Sequence, residues 1–225
     1  NLLDDLKNTL KIISFDVDGT LVDPEYNDLI WFNEIPQLLA KKNKISFEKA
    51  KKIALHEYNN LGEHNLDWYN IEYWISYFNF DVSRIKILEK YESQIKIFSD
   101  VIPALEELKN NYVIIAITAM PREFLTPKIK KLDKYFKYTF SAISDFKQLK
   151  NSDLYLKISQ ILKENPKEIV HIGDSWNSDY LAARKAGLNA LYLDRSNTKK
   201  GKFIIHNLGE VKKNNRGSHK IVYSI

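Results

Sequence analysis

The sequence predicts an α/β fold in which a parallel sheet, covered by helices on both faces, carries an inserted helical domain. Short aliphatic runs alternate with amphipathic helical patterns over most of the chain. A long block between the first and second runs has helical patterns but no convincing strand. Continuous apolar strands separated by helices are typical of parallel sheets buried on both sides. We therefore expect a Rossmann-like core with a helical cap inserted after its first strand.

Six aliphatic runs are the candidate strands: KIISFDV, YVIIAIT, YTFSAI, EIVHIGD, NALYLD and KFIIH. The helical patterns between them include VIPALEELKNN, PREFLTPKIKKLDKYF, SDLYLKISQILKEN and SDYLAARKAG. Helix boundaries agree with this division, because Ser152 can act as an N-cap, Gly187 can end a helix and Pro166 follows one. These elements predict a core domain formed by residues 1–22 and 98–211.

Residues 23–97 are predicted to form the cap domain. Four helices are expected there, at about 25–42, 46–61, 67–78 and 81–96. Their candidate N-caps are Ser46, Asp67 and Asp81. Aromatic side chains crowd this block, and most are expected to pack between helices. Trp31 and Tyr26, near the hinge, are the candidates to face a ligand.

The composition is that of a globular protein, with 225 residues, 44% of them hydrophobic and 28% charged. No apolar run approaches the roughly 20 residues of a membrane-spanning helix. The opening stretch NLLDDLKNTL lacks a basic region, so we do not expect a signal peptide. The chain has no cysteine, which excludes disulfides and thiolate metal sites. A cytoplasmic location is expected. His171, inside an apolar run, is expected to be structural.

The net charge of +5 raises the possibility of a nucleic-acid partner. Residues 195–225 carry eight of the basic residues and a single acidic one, so the remainder of the chain is slightly acidic. The basicity therefore belongs mainly to a C-terminal tail, 212–225, and the segment just before it. A solvated terminus is the favoured interpretation, contact with a polyanion is the alternative, and no nucleic-acid or membrane partner is expected. The oligomeric state and the role of the tail stay open.

Polar residues follow the predicted strands at one edge of the sheet, where open α/β sheets bind ligands. They are Asp16, Asp18, Thr118, Lys150, Asp174 and Asp179. Converging carboxylates repel one another, and a hard divalent cation relieves this repulsion. An oxygen-only ligand set suits Mg²⁺. The sequence therefore predicts a magnesium site at this edge.

The stretches DVDGT and GDSWNSD, together with Thr118 and Lys150, resemble the four motifs of the haloacid dehalogenase superfamily. The resemblance covers the whole predicted core, and the helical insert resembles the family's C1 cap. It implies a phosphatase that hydrolyses a small phosphorylated metabolite through an aspartyl-phosphate. Asp16 would be the nucleophile, and Asp18 would be the acid and then the base.

The resemblance also implies binding roles. Mg²⁺ would be held by Asp16, by the backbone carbonyl of Asp18 and by Asp174. The phosphoryl group would be bound by Thr118, Ala119 and Lys150. Asp179 and Ser175 would support these groups from behind.

Two departures from the family pattern leave choices open. Lys150 is followed by Asn151 where relatives usually have Pro, so Lys147 is an alternative phosphate-binding lysine. Ala119 stands where Asn is common. The alternatives to a phosphatase are a phosphomutase of the β-phosphoglucomutase type, a 2-haloacid dehalogenase and a phospho-acceptor signalling module. Asp18 favours a phosphatase or phosphomutase, because a departing halide needs no proton.

Overall fold

A computed structural model describes residues 10–213 and 221–222 and contains a six-stranded parallel sheet. Its strands are β1 (Ile12–Phe15), β2 (Val113–Thr118), β3 (Tyr138–Ser141), β4 (Ile169–Gly173), β5 (Asn189–Leu193) and β6 (Ile204–Ile205). All six predicted strands are confirmed. The strand order β3-β2-β1-β4-β5-β6 puts β1 at the centre, between β2 and β4.

Helices fill the connections. They are α1 (Glu25–Leu29), α2 (Ile35–Asn43), α3 (Phe47–Leu61), α4 (Ile71–Tyr77), α5 (Arg84–Tyr91), α6 (Val101–Leu108), α7 (Arg122–Ile129), α8 (Ala142–Phe146), α9 (Ser152–Leu162) and α10 (Ala182–Lys185). Two π-helical segments, Ile30–Glu34 and Trp176–Leu181, lead into α2 and α10. The α/β class with an inserted helical block is confirmed.

Apolar clusters cover both faces of the sheet. On one face, Ile13 and Phe15 of β1 pack with residues of α6 and α7. On the other, Ile12 of β1 and Ile115 of β2 pack with residues of α9 and α10. Successive side chains of a strand point to opposite faces, so a strand buried along its whole length, such as β1, needs both layers.

Helices α1–α5 lie between β1 and β2 in the chain and have their own apolar cluster, rich in aromatic side chains. Tyr26 and Trp31 are buried in this cluster. Their burial gives no support to the prediction that either residue faces a ligand. Met120 and Phe124 of the core belong to the same cluster. The helical block thus packs against α7 through apolar side chains.

Three of the predicted helix starts are wrong, although Ser46 caps α3 as expected. Asn70 and Ser83, rather than Asp67 and Asp81, cap α4 and α5. Asn151, rather than Ser152, caps α9, accepting from the Leu154 N–H at 3.1 Å. In each case the residue directly before the helix is a short polar one with extended backbone, and its side chain supplies the oxygen.

The two connections between the core and the helical block run side by side. Val22 and Ile97 form an antiparallel bridge. The Phe98 N–H donates to the Leu21 carbonyl at 3.1 Å. The Arg195 guanidinium stacks 3.9 Å from the Phe98 ring centre. The chain therefore leaves and re-enters the core at one place, as an inserted domain requires.

Near the C-terminus, β7 (Lys212–Lys213) and β8 (Ile221–Val222) pair antiparallel. The predictions about the opening stretch 1–9, and about most of the basic tail, lie outside the described residues. Within the part of the chain that is described, no helix is long and apolar enough to cross a membrane.

Candidate active site

The parallel register of β1 with its neighbours assembles the candidate site at the carboxyl edge of the sheet. Phe15 lies opposite Ala116 of β2 and Ile172 of β4. The next residue, Asp16, donates its N–H to the Ile172 carbonyl at 2.9 Å. Thr118 at the end of β2 and Asp174 just after β4 therefore lie on either side of Asp16.

Three carboxylates meet at this edge. Asp16, Asp174 and Asp179 each offer an oxygen, and these oxygens lie within 4.8 Å of one another. Asp16 and Asp179 are buried, whereas Asp174 is exposed at the rim. Asp179 belongs to the π-helical segment after β4, a kind of distortion that is frequent at functional sites. Asp16 and Asp174 are two of the predicted metal ligands, and Asp179 is the predicted supporting carboxylate.

Two glycines permit this clustering. A Cβ on Gly19 would lie 2.1 Å from Asp174 Oδ2, and one on Gly173 would lie 2.3 Å from Asp179 Cγ. Gly19 also has a φ of +76°, in the left-handed region that side chains disfavour. The chain therefore needs glycine at both positions to bring the carboxylates this close.

Lys150 is the cation of the cluster. Its buried ammonium donates to Asp16 Oδ1 at 2.5 Å and also pairs with Asp179 Oδ1. Lys147, the alternative considered from sequence, is exposed and ends α8 in a left-handed conformation. Of the two lysines, the structure brings Lys150 to Asp16.

The acids of the cluster titrate differently. Burial raises the pKa of Asp16 well above its usual range, although the Lys150 ammonium opposes this shift. Desolvation raises the pKa of Asp174 to about 6, and the charge of Asp179 adds to it. Burial alone would raise the pKa of Asp179, but Lys150 and then the His171 hydrogen bond outweigh it and hold that pKa well below the usual range. One ammonium thus does not offset the negative charge gathered here.

This imbalance fits a divalent cation. The cluster offers carboxylate oxygens only, which is the donor chemistry that Mg²⁺ prefers. Asp16, Asp174 and Asp179 are the side chains that could hold it. The residues present therefore fit a magnesium site.

The carboxylate of Asp18 is not part of this cluster and has its own partners. Its Oδ1 accepts from Asn27 Nδ2 at 3.0 Å and from the Lys128 ammonium. Its Oδ2 is buried and has no hydrogen-bond partner among the described residues. The carboxylate of Asp18 is thus held between α1 of the helical block and α7 of the core.

The remaining predicted residues lie around Asp16. Thr118 is buried, and its Oγ1 accepts from the Met120 N–H at 3.1 Å, which leaves its hydroxyl hydrogen unused by that bond. Ala119 is half-buried beside it. Ser175 caps the π-helical segment and donates its N–H to Asp179 Oδ2 at 2.8 Å. Ser175 therefore orients Asp179, in keeping with its predicted supporting role.

Sequence reasoning missed two polar contacts of the site. His171 is buried, with Ser14 Oγ 2.8 Å from its Nδ1 and Asp179 Oδ1 3.2 Å from its Nε2. Lys128 is buried against Asp18. A signal for Lys128 was present, because it lies four residues after Phe124 and beside Ile129, on the apolar side of the α7 pattern.

A model of the haloacid dehalogenase-like hydrolase family matches residues 10–187. The chain belongs to this hydrolase family. Its sheet order, its acidic cluster and its inserted helices all lie within or beside the matched region.

Two kinds of relative agree with this assignment. The GMP/IMP nucleotidase YrfG of Escherichia coli (strain K12) is 27% identical over 97 residues, which are 43% of this chain and 42% of the nucleotidase. The alignment thus spans less than half the length of that relative. The crystal structure of a HAD phosphatase from Thermococcus onnurineus superposes with a TM-score of 0.80 and 26% identity, covering 95% of this chain and all of that one.

The 2-haloacid dehalogenase of Pseudomonas syringae pv. Tomato DC3000 has the same fold. It superposes with a TM-score of 0.62 and 20% identity over 89% of this chain and 96% of that one. Its similarity extends to the fold alone.

Proposed function

We propose that the protein is a Mg²⁺-dependent phosphatase that hydrolyses a small phosphomonoester through an aspartyl-phosphate on Asp16. The observation that carries the proposal is the buried Asp16 carboxylate, which lies beside Lys150, Asp174 and Asp179 at the carboxyl edge of the sheet. A cytoplasmic location and the domain boundaries 23–97 and 98–211 stay predictions.

In the first half of the reaction, an Asp16 oxygen attacks phosphorus and the bond to the ester oxygen breaks. Lys150 and the Thr118 hydroxyl donate to the phosphoryl oxygens as charge redistributes. Lys150 already donates to Asp16 at 2.5 Å, so a phosphoryl group joined to Asp16 comes within its reach.

Asp18 moves the protons. It protonates the leaving ester oxygen, and afterwards it takes a proton from the water that attacks the aspartyl-phosphate. The water oxygen then bonds to phosphorus, the Asp16–phosphorus bond breaks and phosphate leaves. The buried, unpartnered Oδ2 supports this role, because it is an oxygen free to give and take a proton.

Magnesium completes the site in this proposal. Asp16, Asp174 and the backbone carbonyl of Asp18 would hold it, with Asp179 beside them. Bound there, it supplies positive charge that lowers the repulsion between a carboxylate and a phosphate dianion, about 4 kcal/mol for two unit charges 4 Å apart at an effective dielectric near 20.

A first test is phosphate release from a panel of small phosphomonoesters, nucleoside monophosphates included because one relative is a nucleotidase. The wild-type protein with Mg²⁺ is expected to release phosphate, to stop in EDTA and to recover when Mg²⁺ is restored. Asp16→Asn should lower the rate by about 1,000-fold or more, whereas Asp133→Asn, at an exposed position, should retain it. Full activity in EDTA, or in Asp16→Asn with an unchanged circular dichroism spectrum, would contradict the proposal.

The same samples separate the alternatives. Halide release from a 2-haloacid without phosphatase activity would favour a dehalogenase. Dependence on a sugar bisphosphate activator would favour a phosphomutase. A phosphoaspartate that persists for hours, with no ester turnover, would favour a signalling module.

A further inference from the structure

Lys128 is a buried lysine of α7 whose ammonium lies between the core and the helical block. Its side chain is 0% exposed. Its Nζ donates to Asp18 Oδ1 and, at 2.7 Å, to Asn27 Oδ1. The ring centres of Tyr26 and Phe124 lie 5.6 and 5.7 Å from the ammonium. Burial lowers the pKa of Lys128, and the charge of Asp18 opposes this. The ammonium thus has a fixed set of neighbours, of which Asp18 is the charged partner.

Packing alone does not account for a lysine here. The residues beside it on the same side of α7, Leu125 and Ile129, are buried and apolar. Replacing a buried ion pair by apolar side chains of similar volume is often neutral or stabilising. A charge at this position therefore points to a role at the site that it touches.

The two oxygens of Asp18 have different surroundings. Oδ1 accepts from Lys128 and, at 3.0 Å, from Asn27. Lys128 and Asn27 also bond to each other, so the three side chains form a closed triangle. Oδ2 is buried and unpartnered within the described part of the chain. Two donors on one oxygen fix the rotation of the carboxylate and leave the other oxygen free.

We propose that Lys128 is a positioning residue for the acid–base step and that, with Asn27, it holds Oδ1 of Asp18 so that Oδ2 faces the reacting oxygen. This inference rests on the proposed function. In the first half-reaction, Oδ2 gives its proton to the ester oxygen while the ester bond to phosphorus breaks and the Asp16–phosphorus bond forms. In the second, Oδ2 takes a proton from water while the water oxygen bonds to phosphorus and the Asp16–phosphorus bond breaks.

The test compares two leaving groups. An alkoxide needs a proton to depart, whereas p-nitrophenolate leaves without one. Steady-state kcat/KM reports only the steps up to release of the alcohol. Lys128→Met should therefore lower kcat/KM for an alkyl phosphate from the substrate panel by at least about 10-fold more than kcat/KM for p-nitrophenyl phosphate. Lys131→Met, the same change at an exposed position nearby, is the matched control and should keep the wild-type ratio of the two values.

Two further variants exclude a purely structural effect. In an Asp18→Asn background, adding Lys128→Met should leave the ratio unchanged, because Lys128 acts through Asp18. Asn27→Ala, at a half-buried position, should shift the ratio in the same direction by a smaller factor. If circular dichroism shows that Lys128→Met does not fold, the Asn27→Ala variant replaces it in the test.

The outcomes are distinguishable. Equal losses on both substrates in Lys128→Met and Asn27→Ala, or a further shift of the ratio in the Asp18→Asn background, would overturn the role of Lys128 and leave the phosphatase proposal intact. A wild-type protein that releases phosphate from neither substrate would remove the phosphatase proposal itself.

Discussion

Gly19 and Gly173 each lie where a side chain would displace a carboxylate of the acidic cluster. Asp174 occupies the space beside Gly19, and Asp179 occupies the space beside Gly173. The close spacing of these carboxylates therefore depends on two residues that carry no side chain. Substituting a glycine changes the position of a carboxylate without removing it.

Substitution of Gly19 by alanine is expected to weaken Mg²⁺ binding and phosphatase activity. The new Cβ would lie 2.1 Å from Asp174 Oδ2, so this carboxylate must move. Gly62→Ala is the matched control, because Gly62 has a similar φ of +79° and nothing within 4 Å of its Cβ position. Both variants should lose about 1–3 kcal/mol of stability because alanine disfavours a positive φ. Only Gly19→Ala should need more Mg²⁺ for half-maximal activity, and equal Mg²⁺ requirements would contradict the assignment.

Burial of His171 makes folding stability depend on pH. Desolvation lowers the pKa of His171 from 6.5 to about 4. Between these values the unfolded chain protonates this imidazole and the folded protein does not, so the contribution of His171 to the free energy of unfolding falls as the pH falls from 6.5 to 4. The contribution is at most about 3 kcal/mol. Urea unfolding across this range should show that the stability of the wild type, relative to that of His171→Gln, decreases as the pH falls. The exposed His56→Gln is the control, and parallel curves for wild type and His171→Gln would contradict the prediction.

Side chains at the strand ends were easier to predict than their partners. Asp16, Thr118 and Asp174 follow apolar runs, and parallel strands bring such positions to one edge. The contact of Lys128 with Asp18 joins residues 110 positions apart and depends on how α7 packs against the end of β1. The placement of Asp179 among the carboxylates likewise involves the π-helical segment after β4, which sequence periodicity does not reveal.

Among the elements, helix α7 contacts both the helical block and Asp18 of the candidate site. Phe124 of α7 stacks on Trp31 with ring centres 5.5 Å apart, and it meets Tyr26 edge-on at 6.1 Å. One turn later the same helix presents Lys128 to Asp18. Movement of the helical block relative to α7 would therefore disturb Asp18, the proposed acid–base residue.

Phe124→Ala is expected to destabilise the protein by about 3–5 kcal/mol, because it removes a fully buried ring from the aromatic cluster. Tyr77→Ala, at a residue that is 50% exposed, should cost less than about 1 kcal/mol. Urea denaturation monitored by tryptophan fluorescence measures both. Similar losses of stability for the two variants would contradict the packing of the helical block against α7 through Phe124.

The presence of strands and helices was predicted better than the residues at which the helices begin. Six aliphatic runs became six strands because burial on both faces imposes a continuous apolar pattern. The helix starts at Asp67 and Asp81 were wrong because Asn70 and Ser83, also capping residues, lie closer to the observed helices. Short polar residues are interchangeable as caps, so the pattern alone does not select among neighbours.

In the molecule as a whole, the strand order determines which residues meet at the candidate site. β1 lies between β2 and β4, so the first acidic motif meets residues contributed from a hundred and more positions away. The helical block rests against the same edge through α7, and such an arrangement can exclude water from a reacting phosphate. In the proposed reaction, Asp16 accepts the phosphoryl group at this edge.

Trapping the phosphoenzyme would show whether Asp16 is the phosphoryl acceptor. The protein would be mixed with Mg²⁺ and a substrate from the panel, quenched in acid within the first turnovers and analysed by peptide mass spectrometry. We expect the mass of one phosphoryl group on the peptide containing Asp16, and none in Asp16→Asn. A phosphoryl group found on another residue, or substrate turnover with the Asp16 peptide never modified, would contradict the account.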